Sequence, residues 1–352
     1  LKGFAVNMNN RRITTAITVT LLVILALLLR PKPPAEANSG YHVLMGTFAR
    51  ILAVAPDPQT AEAAIQLALQ RMRNVDNLMS DYKEDSEISK INRDAFKAPV
   101  KVSRPTFEVL QKAIEFSELS DGAFDITIGP LVDLWRSAKE ANSPPTNPQL
   151  EEAHYRIGYE KLILDPNGLT VKFAIEKMRL DLGGIAKGYA IDLAVEAMQE
   201  AGALGAMVDI GGDIRCFGKA RKGKKNWRIG LQDPNVPAET VIGGEPMLVL
   251  KLGDTAVATS GGYRRFVLVE GSRQSHIIDT KTGHGSKALA SVTIIAPKAV
   301  DADALATAVT VLGPEKGLAL IEKTPNTEAI LISPAPQYKI TKTPGAQKYI
   351  KP

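Results

Sequence analysis

Residues Arg179 to Asp192 read Arg-Leu-Asp-Leu-Gly-Gly-Ile-Ala-Lys-Gly-Tyr-Ala-Ile-Asp. Arg179 to Leu182 alternate polar and apolar, the period of a short strand. The pair Gly183-Gly184 then breaks the run. From Ile185 onward, Ile185, Tyr189, Leu193 and Ala197 recur every four positions, the period of one helix face. The stretch therefore reads strand, glycine turn, helix. Adjacent glycines let backbone approach a ligand closely, and a helix start offers unpaired N–H groups to a phosphate. Lys187 falls in the first helical turn and adds a cation. Asp181, at the end of the strand, can meet a polar ligand group or a metal.

Neither standard phosphate motif is present: there is no G-x-G-x-x-G and no G-x-x-x-x-G-K-[ST]. A lone Gly-Gly turn is more often structural than ligand-binding. Here it has company. Asp209-Ile210-Gly211-Gly212-Asp213 supplies a second such turn and Thr259-Ser260-Gly261-Gly262-Tyr263 a third, each after an apolar, strand-like run. Three small-residue turns at the ends of three strands point to backbone crowding around one extended ligand.

A chain of 352 residues with 45% hydrophobic content has room for one large domain or two intertwined ones. The net charge of +5 is scattered. The one dense basic run, Lys219, Arg221, Lys222, Lys224 and Lys225, has turn composition and reads as a solvated hairpin loop rather than a nucleic-acid patch. Aromatic residues are only 5%, which argues against a base-stacking surface. The single cysteine, Cys216, cannot form an internal disulfide and has no metal-ligand spacing, so it reads as a buried structural thiol.

Near the N-terminus, Arg11 and Arg12 precede an apolar run from Ile13 to Leu29. As a helix it is short for crossing a bilayer and long for a signal-peptide core. An uncleaved anchor is favoured over a cleaved signal, with the basic residues inside and the body exported. No cysteine follows the run, so a lipoprotein anchor is not expected. Pro31 to Gly40 reads as a tether, with folding expected from Tyr41.

Beyond it, a strand opening at Met45-Gly46-Thr47 and running through Ala55 and amphipathic helices over 58–78 and 103–119 are expected, the latter with Ser103 as N-cap. Gly158 to Lys177 reads as a hairpin. Trp227 to Asp233 and Met247 to Leu252 are expected to continue the main sheet, and Asp301 to Leu312 to form a helix. Asp125 stands between apolar neighbours, and a buried carboxylate needs partners.

Asp303 and Thr307 are four apart at the start of that last helix and share a face. With Asp301 they offer hard oxygen ligands suited to Mg²⁺ or Ca²⁺, although helix capping by Asp301 or Asp303 is the more ordinary reading of these acids taken alone. His276, beside Asp279 and Gly283, is either structural or an acid–base group. An oxygen-ligated metal beside glycine turns suggests phosphate or pyrophosphate chemistry.

Several segments together resemble one family, the FAD:protein FMN transferases of the ApbE family. They are MGTFARI (45–51), MSDYKEDSEISKIN (79–92), GAFDITIGPLVDLW (122–135), LDLGGIAKGYAID (180–192), DIGGDI (209–214), ATSGGYRRF (258–266), SHIIDTKTG (275–283) and DADALATAVTVLG (301–313). The ordered set spans nearly all of residues 41–330. One departure is Ile126, where the family's FDPT pattern has proline, a mild change if this is a strand. Another is the absence of a lipoprotein cysteine.

The resemblance implies an α+β fold, with mixed or antiparallel sheets and flanking helices, of T-fold-like character. It implies a Mg²⁺-dependent enzyme that cleaves FAD, attaches FMN by a phosphoester to a threonine or serine of a target protein, and releases AMP. Targets would be subunits of membrane redox complexes, and the enzyme would sit at the bacterial inner membrane with its catalytic domain in the periplasm. Carried over by position, Met45, Tyr82, Ala123, Phe124, Asp125, Asp181 and Lys187 would contact FAD. Gly184, through its carbonyl, with Asp303 and Thr307 would hold Mg²⁺, with Asp301 as a helper, and His276 would be the acid–base residue. The implied organisation is a cytoplasmic segment at 1–12, an anchor or signal at 13–29, a linker at 30–40, the catalytic domain at 41–335 and a tail at 336–352. An FAD pyrophosphatase using water, or a non-catalytic FAD-binding protein, would share these motifs. The intact DxxxT pair and His276 argue against pure binding.

Overall fold

In the computed structural model, which describes residues 13–20, 33–234, 245–262 and 266–351, the strand-like runs gather into one main sheet. Its eight strands are Ala35–Leu44 (β1), Thr47–Ala55 (β2), Gly205–Ile210 (β3), Asp213–Gly218 (β4), Thr255–Ser260 (β5), Ser291–Ala296 (β6), Glu328–Ile332 (β7) and Ile340–Lys342 (β8). Their order across the sheet is their order in the chain, and each neighbouring pair is antiparallel. The sheet is thus a meander, and the residues from 58 to 322 that lie outside it are inserted between its strands.

Two connections at the same end are tight hairpins. Leu44 pairs with Thr47 around Met45 (φ 51°) and Gly46 (φ 68°), and Ile210 pairs with Asp213 around Gly211 (φ 65°) and Gly212 (φ 96°). Two consecutive positive φ values give a turn whose twist matches that of the strands it joins, and a Gly-Gly pair adopts it without strain.

The helices are Pro58–Met79 (α1), Glu87–Asp94 (α2), Arg104–Leu119 (α3), Gly129–Ala141 (α4), Asn147–Tyr155 (α5), Ala186–Glu200 (α6) and Ala299–Glu322 (α7). The Asp57 side chain caps α1 by accepting from the Thr60 N–H at 2.8 Å. That helix then buries Ala61, Ala64, Ile65, Ala68, Leu69, Met72, Val75 and Met79 at helical spacing. Together α1, α6 and α7 cover one face of the meander.

Period-two alternation divides the strands between two cores. On β2, Ala49, Ile51, Ala53 and Ala55 join the helix-side core, while Leu52 and Val54 join a second core on the other face. Trp227–Leu231 and Leu248–Leu252 build that second core as a separate two-stranded ribbon, not as the continuation of the main sheet expected from sequence. Their all-apolar inward positions suit either placement. A third cluster joins α4 and α5 to the hairpin Phe266–Val269/Ser272–Ser275 through Leu131, Trp135, Leu150 and Val269.

Other expectations shift. The stretch read as a tether already contains strand: β1 begins at Ala35, and Ala35 pairs with Ala55. The C-terminal stretch read as a tail supplies β8 and buries Ala346 and Ile350 in the second core. Residues 13–20 of the expected anchor are helical, and its remainder, like residues 1–12, lies outside the described residues. Among the described residues, α7 alone is long and apolar enough to cross a membrane, but it is packed against β5 and β6. It starts at Ala299 and is interrupted at Gly313 (φ 76°) just before Pro314, so the expected end at Leu312 marks a kink.

Candidate functional site

Residues 179–182 do not form a full strand. Arg179 makes a single parallel bridge to Ile128, and the Asp181 N–H donates to the Ile126 carbonyl at 2.8 Å. The strap is clamped from α2 by Asn92, whose side chain accepts from the Leu180 N–H at 2.7 Å and donates to the Leu180 carbonyl at 3.1 Å. Ile126 lies in a turn, fully buried, rather than in a strand. The strap delivers the chain to Gly183-Gly184 and into α6.

Residues that flank the three glycine turns meet here. Lys187, in the first turn of α6, places its ammonium against Asp213, which leaves the second glycine turn, and 2.9 Å from Asp303 on α7. The Thr259 N–H, just before the third turn, donates to the other Asp213 oxygen at 3.2 Å. The Asp303 carboxylate also accepts from the Gly188 N–H at 3.1 Å. Asp303 is therefore not the N-cap of its own helix, whose cap residue is Lys298. It caps α6 from outside.

This corner is buried charge. Burial alone would lower the Lys187 pKa, but the flanking Asp213 and Asp303 hold the ammonium above its ordinary value. Burial pushes the Asp303 carboxyl up to about 6, against the pull of Lys187.

Gly184 backs onto Thr307, one turn beyond Asp303. A Cβ on Gly184 would stand 2.9 Å from the Thr307 hydroxyl and 3.2 Å from the Phe124 ring. A backbone carbonyl, a hydroxyl and a carboxylate are all hard oxygen donors, the set that Mg²⁺ or Ca²⁺ takes. The residues present fit such an ion. Among the described residues no group of three His, Cys, Asp or Glu side chains could hold a metal, so an ion here would depend on the carbonyl and hydroxyl as well. Asp301 faces elsewhere, 3.6 Å from Lys112 of α3.

The remaining expected site residues lie at different depths. Met45 sits in the β1–β2 turn, which touches the second glycine turn: a Cβ on Gly211 would lie 2.9 Å from the Thr47 hydroxyl. Ala123 and Phe124 are buried, with the Phe124 ring edge-on to Phe116 at 6.3 Å. Asp125 finds the partners its burial demands in the Thr127 N–H (2.8 Å), the Thr127 hydroxyl (2.7 Å) and the Tyr159 N–H (2.9 Å). Burial raises its pKa and those bonds oppose the rise. Asp181 likewise has its pKa raised by burial, opposed by the Gly183 N–H bonded to it at 2.7 Å.

Tyr82 is 81% exposed. Arg136 of α4 stacks on it at 5.5 Å and is within 3.4 Å of Asp133, which lies 3.3 Å from Arg179. Arg179 in turn pairs with Asp81 at 2.9 Å, closing a charged rim beside Tyr82.

His276 is exposed, on the loop after Ser272–Ser275. Ser275, its neighbour, packs on the third glycine turn, where a Cβ on Gly262 would meet the Ser275 hydroxyl at 2.9 Å. The loop is tied down by Thr280 donating to the Gly122 carbonyl (2.7 Å) and by the Trp135 indole donating to the Gly283 carbonyl (2.6 Å). Asp279 uses its carboxylate on the Lys281 N–H, shaping this turn.

Sequence reasoning gave no role to Asp213, Thr259, Asp192 or Arg215. Two signals were available. Asp213 and Arg215 alternate on a strand directly after a glycine turn, and Asp192 is an acid on an otherwise apolar helix face.

The pattern of the ApbE family matches residues 45–331. A Vibrio cholerae protein described as FAD:protein FMN transferase is 35% identical over 305 residues, 86% of this chain and 89% of its own. One from Haemophilus influenzae is 36% identical over 283 residues, covering 79% of this chain and 80% of its own. Among solved structures, the ApbE protein from Thermotoga maritima superposes with a TM-score of 0.77 at 29% identity, over 91% of this chain and 100% of that one. The flavin transferase ApbE from Vibrio cholerae gives 0.76 at 31% identity, over 90% and 100%.

Proposed function

The chain belongs to the ApbE family, and from that premise we propose that it is an FAD:protein FMN transferase whose reaction takes place at the Lys187–Asp303 corner. The observation that carries this reading is the buried cluster of Lys187, Asp213 and Asp303, in which residues flanking three glycine turns meet. Narrow backbone turns admit an extended ligand, and Lys187 presents positive charge where a pyrophosphate would lie.

In the proposed reaction a threonine or serine hydroxyl of the acceptor attacks the phosphorus on the FMN side of FAD. The new bond is an O–P phosphoester, the bond to the bridging oxygen breaks, and AMP leaves with that oxygen. His276 takes the hydroxyl proton. A divalent cation held by Asp303, Thr307 and the Gly184 carbonyl would supply charge for the pyrophosphate oxygens. Tyr82 offers an exposed ring to the flavin, and Arg136 orients that ring. Export of the body, with the acceptor in a membrane redox complex, rests on Arg11 and Arg12 ahead of the apolar run at 13–29.

The test is to incubate the full-length protein with FAD, Mg²⁺ and an acceptor protein carrying one candidate threonine, then weigh the acceptor and assay AMP. The expected gain is one FMN less one water, with one AMP released for each acceptor modified. FMN and AMP released in equal amounts with an unmodified acceptor would replace this reading with hydrolysis.

A further inference from the structure

The ion pair Asp192–Arg215 lies outside the cluster assigned to the reaction. It joins α6 to β4, with an Arg215 guanidinium nitrogen 2.7 Å from one Asp192 oxygen. Asp192 is 4% exposed, so its charge must be matched inside the protein. Two further donors complete the match, both from the first turn of α7: the Ala299 N–H at 2.9 Å to the same oxygen and the Val300 N–H at 3.0 Å to the other. An aspartate of α6 thus caps the start of α7.

The reverse bond is also present. Asp303 of α7 accepts from the Gly188 N–H in the first turn of α6. Each helix therefore lends an aspartate to the other's N-terminus, where a negative charge is favoured by both orphan N–H groups and the helix dipole. The two contacts are four residues apart on α6 (188 and 192) and four apart on α7 (299 and 303), about 6 Å of helix at 1.5 Å per residue.

Between the contacts the helices touch backbone to backbone. A Cβ on Gly188 would overlap the Ala299 carbonyl. Nothing flexible separates the two caps, so a slip at one must be felt at the other. β4 braces the arrangement from the sheet: Asp213 and Arg215, two apart on one strand face, take Lys187 and Asp192 respectively.

We propose that Asp192, gripped by Arg215, is a positioning residue for the reaction corner. By capping α7 from α6 it sets the register of the two helices, and that register puts Asp303 against Lys187 and Thr307 against Gly184. This rests on the assignment of Asp303, Thr307 and Gly184 as the cation-holding set. Asp192 touches none of them.

The test uses Asp192→Asn in the full-length protein. An amide in place of the carboxylate sets a donor among donors and removes the charge, with almost no change of volume. Hydrogen exchange, measured without metal or FAD, is read at Ala299, Val300 and Gly188. All three amides are expected to exchange faster by about tenfold or more, with β2 and β3 unchanged. The Mg²⁺ concentration for half-maximal FMN transfer is expected to rise about tenfold, the size typical of losing a group that orients a metal ligand.

Faster exchange at Ala299 and Val300 alone, with Gly188 and the Mg²⁺ requirement at wild-type values, would overturn the proposal and leave Asp192 a local cap. Should Asp192→Asn not fold, Arg215→Lys, which keeps the carboxylate and both backbone bonds, is judged on the same readings. If the wild-type protein transfers no FMN, the transferase reading fails by itself. The Gly188 exchange still decides whether Asp192 sets the register.

Discussion

The corner at Lys187 and the rim at Tyr82 are both built from acids and bases, yet they differ in one physical respect. In the corner the side chains of Asp213 and Asp303 are 8% and 4% exposed, whereas on the rim Arg136 and Asp133 are 41% and 40% exposed. Buried charges cannot be left unmatched, so each corner carboxylate has two donors, Lys187 and a backbone N–H, and the geometry exists before any ligand arrives. The outer rim groups Arg136 and Asp133 are wet and their ion pair is screened, while Arg179 and Asp81 behind them are half-buried. A preformed corner suits the chemical step. A compliant rim suits the capture and release of a ring.

The sharpest break in that contrast is Lys187→Met, which leaves Asp213 and Asp303 facing each other without a cation. Removing one partner of a buried ion pair costs about 3–5 kcal/mol, and urea unfolding should show a loss of that size. A loss no larger than that of a rim variant would erase the distinction.

The pH dependence of stability is next in size. Burial pushes Asp303 up to about 6 from an ordinary 3.8, so the folded state holds this proton more tightly than the unfolded state. The resulting stability is complete below pH 3.8 and is lost as pH rises through about 6. It amounts to at most about 3 kcal/mol. Asp303→Asn has no proton to hold. Its stability relative to wild type should therefore improve from pH 4 to pH 7, as read from urea midpoints.

Gly188→Ala should cost about 1–3 kcal/mol, because its methyl group has only backbone to push against. On the rim, Arg179→Met removes pairs to Asp81 and Asp133 and should cost about 0.2–1 kcal/mol, falling further at high salt. The smallest change in stability is expected for Tyr82→Ala, within about 0.5 kcal/mol, since the ring is exposed. Its effect should appear as weaker FAD binding, measured by flavin fluorescence.

The same contrast explains what could be read before folding. Local patterns translated directly: the alternation in β2, the apolar stripe of α1 and the Gly-Gly hairpin at 211–212 each depend on neighbours in the chain. Asp303, Thr307 and Lys187 were legible as candidates because each lies in a short motif at a helix start. What sequence could not reveal was pairing across long separations. Lys187 and Asp303 are 116 residues apart, and Asn92 reaches Leu180 across 88. The ribbon at 227–252 was misplaced for a related reason: apolar alternation shows that a strand has a dry side but does not identify the sheet it faces. β1 was missed because Ala35 to Gly40 carries linker composition and is held as an edge strand by β2 alone.

One measurement bears most directly on the division of labour between corner and rim: the single-turnover rate of FMN transfer at saturating FAD, compared for Asp303→Ala and Tyr82→Ala alongside FAD affinity. Asp303→Ala is expected to lower the rate on the order of 10²-fold or more while weakening FAD far less. Tyr82→Ala should weaken FAD and keep a near wild-type rate once saturated. A near wild-type saturated rate in Asp303→Ala, or a collapse of that rate in Tyr82→Ala, would contradict this division of labour.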